Sequence, residues 1–204
     1  MLLLILMFIS KIVYLFLFII IFSLSFVEFS KLSKLIFKKN LLKLFFINVI
    51  FTLYIFVILL IFIFGLNDIH FKVILFIILL ICIASDIGGI LFGKIFKGPK
   101  LTKISPNKTI SGSIGSFFLS ICMSTLLMSY IFNTELVDNF LLGFLVSLSV
   151  QLGDLFFSFL KRKAFLKNTG NFLPGHGGIL DRIDGILLGL PIGLIYILIL
   201  IFTG

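Results

Sequence analysis

Long apolar stretches broken by short polar ones organise this chain. Six stand out, at about residues 2–27, 44–64, 73–84, 114–132, 140–159 and 186–202. The third reaches Asp86 early and resumes to about residue 96, either as one helix holding an acid or as a helix broken at Gly88 and Gly89. Hydrocarbon offers no partner to backbone N–H and C=O groups, and about 20 helical residues cross it, so runs of this kind predict membrane helices. The expected fold is all-α: a polytopic integral membrane protein of about six transmembrane helices with a cytoplasm-facing polar site. The first run has no basic leader and no small-residue cleavage site before Glu28, which predicts a retained membrane segment.

Composition supports this pattern. Hydrophobic residues make up 61% of the 204 and charged ones only 12%, more apolar surface than a soluble domain of this length can hide. The net charge of +9 therefore points to loops at an anionic membrane surface or to anionic substrates, not to nucleic acid. Cys82 and Cys122 lie inside apolar runs and read as small hydrophobes.

The basic residues set an expected orientation. Lys31, Lys34, Lys38, Lys39 and Lys43 lie near the first connection; Lys94, Lys97, Lys100, Lys103 and Lys108 near the third; Lys161, Arg162, Lys163, Lys167 and Arg182 near the fifth. The second connection holds Lys72 beside Asp68, and the fourth holds Glu135 and Asp138. By the positive-inside rule the first, third and fifth connections face the cytoplasm of a bacterial-type inner (plasma) membrane. We expect one membrane domain, 1–204, with N-terminal helices over 1–83 and a catalytic half over 84–204.

Polar residues within the apolar runs carry the candidate chemistry. In the fifth run Ser147, Gln151, Asp154, Ser158 and Lys161 are spaced by 4, 3, 4 and 3, which makes one polar stripe on a helix. Such a stripe either glues helices together or lines a site, and the acid favours a site. Asp181 and Asp184 share a helix face at the start of the sixth run. With Asp154 they form three carboxylates of the type that suits Mg²⁺ beside substrate phosphates. Lys161, Arg162, Lys167 and Arg182 suit a polyphosphate. Pro174, Gly175, His176, Gly177 and Gly178 form a turn whose amides can approach a ligand, ahead of a helix start that attracts phosphate. His176 is either an acid/base or phosphate contact, or a loop anchor. A second cluster, Asp86, Ser105, Lys108 and Thr109, offers a further phosphate or nucleotide seat. Gly185, Gly189 and Gly193 recur every four residues, a face for close packing within the chain or across a homodimer.

These residues resemble the signature of the phosphatidate cytidylyltransferase (CDP-diacylglycerol synthase) family. The match runs through Ser158, Lys161, Arg162, Lys167, Gly170, Pro174, His176, Gly177, Gly178, Asp181, Arg182 and Asp184. Upstream, Asp86, Gly88, Phe92, Gly93, Ser105, Pro106, Lys108, Thr109 and Gly112 are similar to the family in the same order. The chain departs at Asn168, where the family has Asp, at Ile110 and Ser111, where it has Trp and Glu, and in a short N-terminal half. The resemblance implies that CTP and phosphatidic acid react at the bilayer to give CDP-diacylglycerol and pyrophosphate. It implies Asp154, Asp181 and Asp184 as ligands of Mg²⁺, with K⁺ as a candidate second cation. Asp154, Lys161, Arg162, Lys167, His176, Asp181, Arg182 and Asp184 become the catalytic set; Asp86, Ser105, Lys108, Thr109, Ser158, Gly177 and Gly178 become substrate contacts. The rivals are a CTP-dependent polyprenol or dolichol kinase, a cation-coupled transporter and an inactive homologue.

Overall fold

The computed structural model of the protein describes residues 11–65, 67–102, 104–106, 108–170 and 177–203. The start of the first apolar run, Lys103, Pro174, Gly175 and His176 lie outside the described residues. Six helices order the described chain: α1 (Lys11–Ile36), α2 (Leu41–Gly65), α3 (Ile69–Phe96), α4 (Ile110–Phe132), α5 (Leu136–Lys163) and α6 (Leu180–Thr203). Each is long and apolar enough to cross a membrane. The shortest, α4 with 23 residues, reaches about 35 Å at the usual rise, against about 30 Å of hydrocarbon. The protein is an all-α integral membrane protein.

The helix boundaries resolve points that the apolar pattern left open. α3 runs unbroken through Asp86, Gly88 and Gly89. α5 continues past its apolar run to Lys163, and α6 starts at Leu180, so Asp181 and Asp184 both lie in helix. Helix starts follow capping chemistry, in which a side-chain oxygen takes an unmatched N–H of the first turn. Asn40 Oδ1 accepts from Lys43 N ahead of α2, and Asp68 Oδ2 accepts from Phe71 N ahead of α3. Thr109 Oγ1 accepts from Gly112 N as the N-cap of α4. α4 ends at Asn133, whose φ of 51° is the left-handed conformation that stops a helix.

The chain groups into two compact units, Met1–Val73 with Leu160–Ile183, and Ile74–Phe159 with Asp184–Gly204. In the first, α1 and α2 pack through the stacked rings of Phe29 and Phe51, 3.8 Å between centroids, and through Phe18 and Phe62. Ser33 Oγ donates to Asn48 Oδ1 across the same pair.

The core of the second unit is built on Leu75, Ile78, Ile81, Leu142 and Val146, all buried. Small residues let its helices approach where apolar transfer gives little drive between them. A Cβ on Gly88 would run into the backbone of Gly115, and one on Gly143 would lie 2.7 Å from Ile121 Cα. The Gly185, Gly189 and Gly193 face packs within the chain, against Val150, Cys82, Ile78 and Val146. Large apolar side chains such as Phe118, Leu126, Leu152 and Phe156 point outward, as a bilayer-facing surface requires.

Candidate active site

The polar stripe of α5 divides by function along its length. Its upper members join helices. Ser147, fully buried, shares a 2.9 Å hydrogen bond with Ser85 of α3 and accepts from Gln151 Nε2. Gln151 Oε1 in turn accepts from Ser113 of α4. For these two residues the interhelical-glue reading is the right one.

Asp154 comes next and behaves differently. Lys108 Nζ donates to Asp154 Oδ2 at 2.6 Å, with the lysine and aspartate side chains 27% and 23% exposed. Asp86 lies within electrostatic reach of both. The third connection thus delivers its lysine to the acid of the stripe, a pairing that the sequence reading did not make. Ser105 helps shape that connection: its carbonyl accepts from Lys108 N, and its own N–H donates to Thr102 Oγ1. Thr109 is occupied as a cap and also hydrogen-bonds Ser111 Oγ.

Asp184 belongs to the same unit. A Cβ at Gly153 would lie 2.7 Å from the Asp184 carbonyl oxygen, and one at Gly185 would lie 2.8 Å from Asp154 Oδ1. Gly153 and Gly185 therefore form the crossing point of α5 and α6, which brings the Asp184 backbone against Gly153 and the Asp154 carboxylate against Gly185. Asp184 Oδ1 accepts from Gly185 N. Carboxylate oxygens such as these are the hard donors that Mg²⁺ takes when substrate phosphates and water complete its shell. Among the described residues no group of three His, Cys, Asp or Glu side chains is gathered closely enough to hold a metal by itself.

Asp181 lies in the first unit, on the first turn of α6. Its Oδ1 accepts from Lys161 Nζ at 2.8 Å, with both side chains 12% exposed. Its Oδ2 accepts from Thr169 N and Gly178 N at 2.9 and 3.0 Å. The carboxylate therefore ties the end of α5, the following loop and the start of α6 together. Gly177 has a φ of 83°, which only glycine adopts cheaply. A Cβ there would also lie 3.0 Å from Asp181 Oδ2 and 3.4 Å from Asn168 Cγ. Asn168 thus packs beside this turn.

The expected phosphate seat at the start of α6 is filled by the protein itself. Asp181 takes the amide of Gly178, and a residue that the motif reading passed over takes the next two: Glu28 Oε1 accepts from Ile179 N, and Oε2 from Leu180 N and Thr169 Oγ1. Glu28 carried a visible signal, being the one acid before Asp68 and standing at the end of the first apolar run. Arg162, Lys167 and Arg182 are exposed in the first unit, and Ser158 is half-buried on α5.

Comparison with known proteins finds relatives that share one name. A phosphatidate cytidylyltransferase of Helicobacter pylori strain J99 is 38% identical over 116 residues, 55% of this chain and 42% of the relative. One from Rickettsia bellii is 40% identical over 127 residues, 57% of this chain and 54% of the relative. One from Staphylococcus aureus strain COL is 46% identical over 111 residues, 53% of this chain and 42% of the relative. The matched stretch spans about half the length of these relatives. The model of the cytidylyltransferase family matches residues 1–201, nearly the whole chain, and the chain belongs to that family.

Proposed function

We propose that this protein is a phosphatidate cytidylyltransferase, condensing CTP with phosphatidic acid to CDP-diacylglycerol and pyrophosphate in phospholipid biosynthesis. The observation that carries this reading is the family match over residues 1–201, together with relatives of that name at 38–46% identity. The geometry supports it: Asp154 lies at the glycine crossing of α5 and α6, and Lys108 and Lys161 are paired with Asp154 and Asp181.

In this reading an oxygen of the lipid phosphate attacks the α-phosphorus of CTP. The bond from that phosphorus to the β-phosphate bridging oxygen breaks, and pyrophosphate leaves with the electron pair. The protein positions two anions against each other and offsets their charge. Lys161, Arg162, Lys167 and Arg182 offset the triphosphate and the departing pyrophosphate. Asp154 and Asp184 would hold Mg²⁺, which when bound supplies Lewis-acid polarisation of phosphoryl oxygens. Lys108 then moves from Asp154 to substrate phosphate, exchanging one anionic partner for another. We assign Asp181 to ordering the loop, because its carboxylate already accepts three hydrogen bonds. The Lys-rich first, third and fifth connections face the cytoplasm, where CTP is found.

The test is direct. Purified protein in detergent receives labelled CTP, phosphatidic acid and Mg²⁺, and products are separated. CDP-diacylglycerol with pyrophosphate is the expected outcome. A phosphorylated lipid with CDP would make it a lipid kinase, and no product beside a working control enzyme would refute the assignment.

A further inference from the structure

We propose that Glu28, far from the signature in sequence, is a positioning residue for the nucleotide site: it fixes the loop and helix start on which Asp181 stands. This rests on the proposed cytidylyltransferase reading. Glu28 is 6% exposed on α1. A carboxylate in an apolar helix is costly unless donors surround it. Three do: Thr169 Oγ1 and Leu180 N reach Oε2 at 2.9 Å each, and Ile179 N reaches Oε1 at 3.0 Å.

The surrounding loop is shaped to this carboxylate. A Cβ at Gly170 would lie 2.6 Å from Glu28 Oε1, and one at Gly178 would collide with Oε2. Thr169 links the two acids, giving its hydroxyl to Glu28 and its amide to Asp181, and Asp181 accepts from Lys161. Contact thus runs from α1 through Thr169 to the Lys161–Asp181 pair. α2, α3 and α4 are capped by the adjacent residues Asn40, Asp68 and Thr109. α6 takes its cap from a residue 151 and 152 positions away from the donors. A local Ser or Asp at the N-cap would reach the amides of the second or third helical residue, not those of Ile179 and Leu180 that Glu28 takes. The remote cap also ties Thr169, Ile179 and Leu180 to α1, and so holds the segments that carry Lys161, Lys167 and Arg182, the cations that meet the triphosphate.

The experiment uses the full chain in detergent, as wild type, Glu28→Ala, Glu28→Gln and Thr169→Val. KM and kcat are measured separately for CTP and phosphatidic acid, and hydrogen exchange is followed in peptides covering 177–183. In Glu28→Ala the KM for CTP should rise about tenfold, with the KM for phosphatidic acid within about twofold of wild type. Exchange at 179 and 180 should accelerate. Glu28→Gln keeps the shape and one acceptor oxygen, so it should fall between wild type and Ala. A merely structural role would lower the active fraction, and hence kcat, with both KM values unchanged; that outcome overturns the proposal. Unchanged exchange at 179 and 180 overturns it as well. If Glu28→Ala does not fold, Glu28→Gln and Thr169→Val must show the CTP-specific rise, or the proposal fails. A wild type that makes no CDP-diacylglycerol refutes the functional reading and with it the nucleotide role of Glu28; the exchange data then report only whether Glu28 holds the loop.

Discussion

Lys108–Asp154 and Lys161–Asp181 are both lysine–aspartate pairs, and they differ in structure. Lys108 and Asp154, in the second unit, form one ion pair at 2.6 Å with about a quarter of each side chain exposed. Lys161 and Asp181, in the first, are half as exposed, and Asp181 also takes two backbone amides. A carboxylate held by one flexible ammonium can change partners at little cost. One held by three donors from three places in the chain is part of the framework. The contrast yields a testable rule: under the proposed function, the number of fixed donors around an acid should separate the reacting group from the group that holds the site in shape.

The largest expected effect is on chemistry. Asp154→Ala should lower kcat by roughly 10²–10³-fold, the range seen when one preorganised charge-stabilising group is lost, with a melting temperature near wild type. A large drop in melting temperature would place Asp154 in the framework and erase the contrast. Asp181→Asn should lose activity and stability together. It removes one acceptor oxygen and leaves Lys161 poorly matched in a mostly buried place, a destabilisation of about 2–3 kcal/mol, read by thermal melting in detergent. A fully stable Asp181→Asn would put Asp181 back among the cation ligands.

Smaller effects sharpen the picture. Gly185→Ala forces a methyl against Asp154 Oδ1 and Val150, so overpacking should cost about 1–3 kcal/mol and move Asp154. The check is a lower melting temperature with reduced kcat in the same variant. Thr109→Ala should be mildest, costing about 1 kcal/mol as a lost helix cap with the KM for CTP unchanged. A clear rise in that KM would show that Thr109 contacts nucleotide as well as capping α4.

Features carried by a local rule were legible in the sequence. The six helices follow from apolar length, because a chain in hydrocarbon must satisfy its own backbone. The caps at Asn40, Asp68 and Thr109 also act over three residues, but the sequence reading did not single them out and took Thr109 for a substrate contact. The stripe on α5 follows the helical period, although the period alone did not say that Ser147 and Gln151 bond other helices while Asp154 meets a lysine. Whether α3 breaks at Gly88 and Gly89 was open in the sequence too. Close packing against Gly115 explains Gly88 without a break, since glycine serves both a bend and a tight crossing.

By itself, then, the sequence determined the class of fold, the membrane setting, the acids and bases available for chemistry and the family they resemble. Tertiary structure alone decided which partner each charge has. It set Asp154 against Gly185 at the crossing of α5 and α6, paired Asp181 with Lys161 and the amides of Thr169 and Gly178, and brought Glu28 to the start of α6. Helical period and capping act over a few residues and can be read along the chain. A hydrogen bond between Glu28 and Leu180 joins residues 152 positions apart and exists only once the helices have packed.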